Sequence, residues 1–277
     1  MGLITKAYAK LNLWLDITGR RPDGYHTLNT IMRSIDLYDT VEIETNGSGD
    51  IIVSCDDPDI PTDERNCAYK AARLFFSEME KNMGAYIRIS KRIPVGAGLG
   101  GSSADGAAVL KGLNEMCGFP FGMDKLYALC AHVGADVPFC MHGGAAACTG
   151  IGDRMNAIDC CDFSALIAFP GFACSTSDAY RRYDITPIPE KNGFDEYRQT
   201  IASNRSFLAE NMYNIFELLY DIPKTAYLKE ALISAGAEGA CMTGSGSAVF
   251  GIFPDKQAAQ KAADSLTDCT AFAVNAI

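Results

Sequence analysis

Hydrophobic residues recur at every second position over 4–17, which predicts a strand near the start of the chain. Residues 39–44 and 50–54 repeat that pattern around the turn-forming run Asn46-Gly47-Ser48-Gly49. Between 66 and 79 the spacing changes to three and four, and Ala68, Ala71, Ala72, Phe75 and Phe76 fall on one helical face. A strand is predicted at 85–90. A glycine-dense loop follows, then a helix presenting Ala107, Leu110 and Leu113. A further helix is predicted at 124–132, with Asp124 as its N-cap, and a short strand at 145–149.

The pattern restarts after about residue 152. Strands are predicted at 165–169, 239–242, 248–253 and 270–274, and helices at 207–220, 225–235 and 255–266. Both halves mix strands and helices without regular βα alternation. That predicts an α+β protein of two domains, 1–152 and 153–277, with a cleft between them. No internal repeat or low-complexity segment interrupts the chain.

With 277 residues, 48% of them hydrophobic and 21% charged, the chain can bury a core without disulfides or a structural metal. Its net charge of −10 argues against nucleic acid or an anionic membrane as the main partner. A small anionic ligand stays open, because a glycine loop and a few lysines set their own local field. The 11 cysteines form no CxxC pair, and only Cys160 and Cys161 are adjacent. They read as reduced, mostly buried thiols, so a cytoplasmic protein is expected. The first residues lack a signal-peptide core, Lys6 breaks the myristoylation pattern, and no apolar run reaches membrane-spanning length.

The stretch KRIPVGAGLGGSSADGAAVLKGL, 91–113, carries the strongest chemical signal. Gly96, Gly98, Gly100 and Gly101 are expected to take positive φ angles and admit a ligand close to the backbone. Ser102 and Ser103 then open a helix whose unpaired N–H groups and dipole favour phosphate. A tight strand-to-helix turn is the alternative. No Gly-Lys-Ser/Thr closes the loop, so it is not a Walker A sequence.

Four other sites stand out, each with a plain alternative. Lys10 shares a strand face with Tyr8 and Asn12, and burying it would call for an anion; a solvated edge lysine is the alternative. Asp136 is held in Gly134-Ala135-Asp136-Val137-Pro138-Phe139, where glycine ends a helix and proline is expected to block a restart; a turn aspartate would look the same. The loop 20–26 ends in Tyr25 and His26, which could stack on a planar ring and read its edge, or belong to a solvated turn. Met242-Thr243-Gly244-Ser245-Gly246-Ser247 is either a tight hairpin or a second anion-contacting nest. His132 and His142 read as packing residues.

Taken in order, AKLNL, DGYH, PVGAGLGGSSADGAA, GADVPF and MTGSGSAVF resemble the motifs of the GHMP kinase superfamily, and the resemblance covers nearly the whole chain. Homoserine and mevalonate kinases share the glycine loop but not the DGYH and GADVPF pair. That pair is similar to the members that phosphorylate a cytidine diphosphate-linked methylerythritol in the non-mevalonate route to isoprenoid precursors. The resemblance implies ATP as phosphate donor and Mg²⁺ bridging its phosphates, held mostly by water and phosphate oxygens. It implies Lys10 and Asp136 as catalytic residues. It assigns the ATP phosphates to Pro94, Val95, Gly96, Ala97, Gly98, Leu99, Gly100, Gly101, Ser102, Ser103 and Ala104. Asn66 and Lys91 would contact the nucleotide base and ribose. Asn12 would contact substrate, as would Gly244, Ser245 and Gly246 of the third motif. Tyr25 and His26 would recognise cytosine, with Tyr180 of SDAYRRYD as a second ring over it.

The chain departs from the family pattern twice. Ala7-Tyr8 stands before AKLNL where Ser/Ala-Pro is usual, and Ser102 replaces a glycine in the loop. Two other readings remain open at this point: a GHMP kinase for another alcohol, and a non-catalytic nucleotide sensor on the same fold. Oligomeric state is not readable from the sequence.

Overall fold

The computed structural model describes residues 2–152, 154–186, 188–220 and 222–277. The chain opens with two long strands, β1 (Leu3–Arg20) and β2 (His26–Asn46), then β3 (Ile51–Cys55). Next come α1 (Cys67–Glu78), β4 (Gly84–Ser90), α2 (Gly101–Met116), α3 (Met123–Val133) and α4 (Val137–His142). After these lie β5 (Ala145–Thr149), β6 (Arg154–Ala157), β7 (Ser164–Phe169), α5 (Thr176–Ile185), α6 (Phe194–Thr200) and α7 (Arg205–Glu210). The short β8 (Tyr213–Asn214) runs into a 3₁₀ turn at Ile215–Leu218. The chain closes with α8 (Pro223–Ser234), β9 (Gly239–Met242), β10 (Val249–Phe253), α9 (Lys256–Ser265) and β11 (Thr270–Asn275).

Packing groups these elements into two compact units, each drawn from three separate stretches of chain. The division at 152 follows chain order instead. The first unit holds the chain up to Ala9, Leu37–Ile93 and Gly100–His142. In it β3 runs parallel to β4, and β4 pairs antiparallel with residues 40–46 of β2. Val41, Ile43, Ile87 and Ile89 of these strands pack with Phe75 and Phe76 of α1 and Val109, Leu110 and Leu113 of α2. Burying a phenylalanine of this kind contributes about 1.5–3 kcal/mol. Asn66 starts α1: its Oδ1 accepts the Ala68 N–H at 2.8 Å, pairing one of the helix's orphan donors. Gly106 of α2 faces Cys67 of α1, where a Cβ would lie 3.2 Å from the Cys67 Cβ, so the two helices approach closely.

The second unit holds Lys10–Asp36, Pro94–Leu99 and Gly143–Ile277. Its antiparallel sheet has the order β11-β7-β10-β9. Leu166, Ala168, Val249 and Phe253 of that sheet pack with Leu228 and Leu232 of α8 and Ala259 of α9. Residues 30–33 of β2 pair with β5, β5 pairs with β6, and β8 joins β1 in parallel at Trp14 and Leu15.

Several expectations are corrected. β2 begins at His26, well before the expected strand at 39–44, because residues 30–35 are buried on both faces and so lose the alternation that marks a half-buried strand. The helix expected at 207–220 is α7, β8 and the 3₁₀ turn in succession. Asn214 breaks it: its side chain accepts the Phe216 N–H and donates to the carbonyls of Met242 and Gly244. Gly122, not Asp124, is the N-cap of α3, and Asp124 lies in the first turn, where its charge still suits the dipole. Pro138 does not block a helix; it sits in the first turn of α4, where a missing N–H costs nothing. β6, α5 and α6 were not anticipated at all.

Candidate functional site

In the second unit, β1 carries Lys10 and Asn12 inward, at 3% and 4% exposure. The Lys10 Nζ donates to the Asn12 Oδ1 at 2.5 Å and to the Gly98 carbonyl at 2.8 Å. The Lys10 N–H also donates to the Leu99 carbonyl at 3.0 Å, which ties β1 to the glycine loop. The Asn12 amide is heavily used. Its Oδ1 also accepts the Gly244 N–H at 2.9 Å, and its Nδ2 donates to the Thr30 hydroxyl at 2.9 Å. Gly98 has φ +81°, and a Cβ there would overlap the Thr243 carbonyl. Glycine is therefore required twice, for the left-handed backbone and for the close approach of the 243–248 turn. That turn links β9 to the antiparallel β10, so it is a hairpin loop, as one of its two readings held. Ala248 donates to the Ala97 carbonyl at 3.1 Å, and Ser245 shares a hydrogen bond with Thr176 at 2.9 Å.

In the first unit, Gly100 takes φ +73° and caps α2 without a side-chain bond, and the first turn holds no acid. The leading N–H groups of this 16-residue helix therefore keep their attraction for an anion. Gly101 does not have a positive φ; it already belongs to α2, and its lack of a side chain leaves room for Ile93 and the Lys91 Nζ, about which a Cβ would lie 3.1 and 3.3 Å away. Ser102 is exposed at this helix start, Ser103 is half-buried and Ala104 is buried. Pro94 and Val95, in the second unit, sit toward the surface ahead of the buried Ala97 and Leu99.

Lys91 is not left open for a ligand. Its ammonium lies between Asp39 at 2.5 Å and Asp105 at 2.9 Å, with 8% of the side chain exposed. Burial works against that charge, but Asp105 and Asp39 together outweigh it, so the Lys91 pKa lies above the ordinary lysine value. Asp39 has further donors in the N–H groups of Arg92 and Ile93. Asp105 accepts from Lys91 through its Oδ2, and its Oδ1 is buried without a hydrogen-bond partner among the described residues. Burial pushes Asp105 up to about 7, with Lys91 opposing and the Asp39 charge adding to the rise. The amide of Asn66 is likewise committed, to Ala68 and to the Pro61 carbonyl at 2.7 Å. Asp136 is half-buried just ahead of α4, and its carbonyl accepts the Cys140 N–H at 3.1 Å.

The aromatic residues of the second unit gather in part. His26 stacks on Tyr180, with ring centroids 4.7 Å apart and planes 18° from parallel. The His26 Nε2 meets the Asp184 Oδ1 at 2.8 Å. Tyr183 meets the same imidazole edge-on, and Phe216 meets Tyr180 likewise. Tyr25 stands 62% exposed. His132 bonds back to the Ala128 carbonyl and His142 to the Tyr127 hydroxyl, in line with packing roles. Thr243, Asp39, Asp105 and Asp184 were missed as neighbours of the candidate residues. Thr243, Asp105 and Asp184 lay inside the motifs MTGSGSAVF, PVGAGLGGSSADGAA and SDAYRRYD without being singled out, and Asp39 lay outside all of them.

The description "GHMP kinases N terminal domain" matches residues 66–144, and "GHMP kinases C terminal" matches 199–270. The protein named 4-diphosphocytidyl-2-C-methyl-D-erythritol kinase from Clostridium botulinum (strain Eklund 17B / Type B) is 42% identical over 269 residues, 95% of either chain. The one of that name from Caldicellulosiruptor saccharolyticus is 41% identical, over 95% of this chain and 92% of its own. A crystal structure titled 4-(cytidine 5'-diphospho)-2C-methyl-D-erythritol kinase superposes with a TM-score of 0.81 at 31% identity, covering 99% of both chains. With matches of this length and identity, the chain belongs to the GHMP kinase family.

Proposed function

We propose that the protein phosphorylates the C2 hydroxyl of 4-diphosphocytidyl-2-C-methyl-D-erythritol, with ATP as donor, in the non-mevalonate route to isoprenoid precursors. The observation that carries this reading is the 42% identity, over 95% of the chain, to relatives bearing that kinase's name. The left-handed glycines and the uncapped start of α2 suit a triphosphate, since they offer N–H donors and room for phosphate oxygens. Mg²⁺, when bound, would neutralise charge on the β- and γ-phosphates, beside the Pro94–Ala104 segment.

In this reading Asp136 takes the proton from the C2 hydroxyl. The hydroxyl oxygen then bonds to the γ-phosphorus as the bond to the β,γ-bridging oxygen breaks, and ADP leaves. Lys10 stabilises negative charge on the transferring group and keeps the attacking oxygen acidic. Positioning and electrostatics supply most of the acceleration in such transfers. Tyr25 stacks on the cytosine and His26 reads its edge. Tyr180, whose face already lies against His26, backs that imidazole. No described helix is long and apolar enough to cross a membrane.

The test is substrate-dependent ADP release by the purified protein, with kcat/KM measured side by side for the cytidine compound and its uridine counterpart. The uridine compound should be a poor substrate, because its N3 donates where that of cytosine accepts and leaves buried polar groups unpaired. Equal values would leave a GHMP kinase whose alcohol is still to be found. No ADP release with either compound would reject the reading.

A further inference from the structure

We infer that Thr243 is a positioning residue for Lys10. Its hydroxyl lies within hydrogen-bond reach of two oxygens that also accept from the lysine and holds them in place. This inference rests on Lys10 acting on the transferring phosphoryl group, as in the function proposed above.

The second unit contains the whole arrangement. Thr243 is 0% exposed, at the mouth of the β9–β10 hairpin. Its Oγ1 accepts the Asn12 N–H at 3.0 Å. The hydroxyl proton has two acceptors within reach, the Asn12 Oδ1 and the Gly98 carbonyl, each at 3.3 Å. These are the same two oxygens that accept from the Lys10 Nζ, at 2.5 and 2.8 Å. One buried hydroxyl therefore faces the lysine across both oxygens, accepting from the backbone of one acceptor's residue and donating its single proton to one or other of the pair.

Two features make that anchor rigid. The absence of a Cβ at Gly98 lets its backbone touch the Thr243 carbonyl. The neighbouring Gly244 N–H holds the Asn12 Oδ1 at 2.9 Å. With Thr30 holding its Nδ2, the Asn12 side chain has one orientation available. Asn12 thus acts largely through Lys10 and the hairpin rather than as a free hand toward substrate. Removing the Thr243 hydroxyl would strand the Asn12 N–H in the interior, and the cheapest relief is a shift of β1 that carries Lys10 with it.

The experiment compares Thr243→Val, Thr243→Ala and Thr243→Ser by kinetics and by the ¹⁵N-resolved ammonium signals of buried lysines. The Lys10 signal is identified by its loss in Lys10→Met, and Lys91 serves as an internal control held by a different set of partners. Thr243→Val is expected to lower kcat by about 10- to 100-fold with nucleotide affinity little changed, and to displace or broaden the Lys10 signal while Lys91 keeps its own. Thr243→Ser, which keeps the hydroxyl, should restore most of kcat and the Lys10 signal. Where the valine variant does not fold, Thr243→Ala gives the same readouts with less crowding. An unchanged Lys10 signal in a folded variant lacking the hydroxyl overturns the inference, whatever the kinetics show. The signals need no substrate. A wild type that releases no ADP with the cytidine compound therefore rejects the proposed function, while the position of Lys10 is decided separately.

Discussion

Two buried lysines lie in unlike cradles. Lys91 is clamped by two carboxylates, Asp39 and Asp105. Lys10 donates to an amide oxygen and a backbone carbonyl, of Asn12 and Gly98. Carboxylates place an ammonium and offset its charge, as at Lys91, whereas the amide and carbonyl oxygens named for Lys10 place it by hydrogen bonding. The Lys91 cluster also ties together the end of β4, the Asp39 segment of β2 and the first turns of α2, as a structural brace would. Burial alone thus does not set the two lysines apart: Lys91 braces its own unit, whereas Lys10 is the one to which the proposed function gives a part in the chemistry.

The largest effect should come from Lys10 and Asp136, the pair to which the proposed function assigns catalysis. Lys10→Met is expected to lower turnover by roughly 10²–10³-fold while leaving ATP affinity nearly intact, as read by steady-state kinetics beside nucleotide titration. Asp136→Asn should lower it by roughly 10²–10⁴-fold, the usual worth of a general base. A Lys10 variant that loses ATP affinity but keeps its turnover would place Lys10 with the binding residues and erase the contrast.

Lys91→Met comes next and should act on stability. Breaking a buried ion pair from one side costs about 3–5 kcal/mol, measurable by urea unfolding. Turnover per folded molecule should fall far less than in Lys10→Met. A folded Lys91→Met that fails to bind ATP would return Lys91 to the nucleotide-contacting role that the family resemblance implies.

The smallest effect concerns pH. Asp105 keeps its proton up to about 7 in the folded protein and loses it near 4 when unfolded. The folded state therefore binds the extra proton between those values. The stability this group contributes is full below about 4 and is lost as pH rises through 7. Asp105→Asn should flatten that part of the curve of stability against pH. An unchanged slope would show that another group sets it.

The sequence reached some features because local chemistry wrote them. The face of Ala68, Ala71, Ala72, Phe75 and Phe76 is buried in α1 as its spacing required. The left-handed backbone at Gly96, Gly98 and Gly100 answers to the absence of Cβ atoms. Lys10 and Asn12 were visible as polar residues on an apolar strand, and the motif order placed the chain in its family. Other features were hidden for identifiable reasons. The first half of β2 lacks alternation because it is buried on both faces. The helical spacing across 207–220 was overridden by the bonds Asn214 makes to the β9–β10 hairpin.

By itself, then, the sequence determined the mixed α+β content, the glycine loop opening a helix, and the residues with chemistry to offer. Those properties depend on neighbours three or four positions away, which periodicity and glycine content record. Only the tertiary structure decided that Lys91 belongs with Asp39 and Asp105, that Tyr180 rests on His26, and that Thr243 sits across two oxygens from Lys10. Those partners lie from 14 to more than 200 residues apart along the chain, and a hydrogen bond between them leaves no period in a sequence.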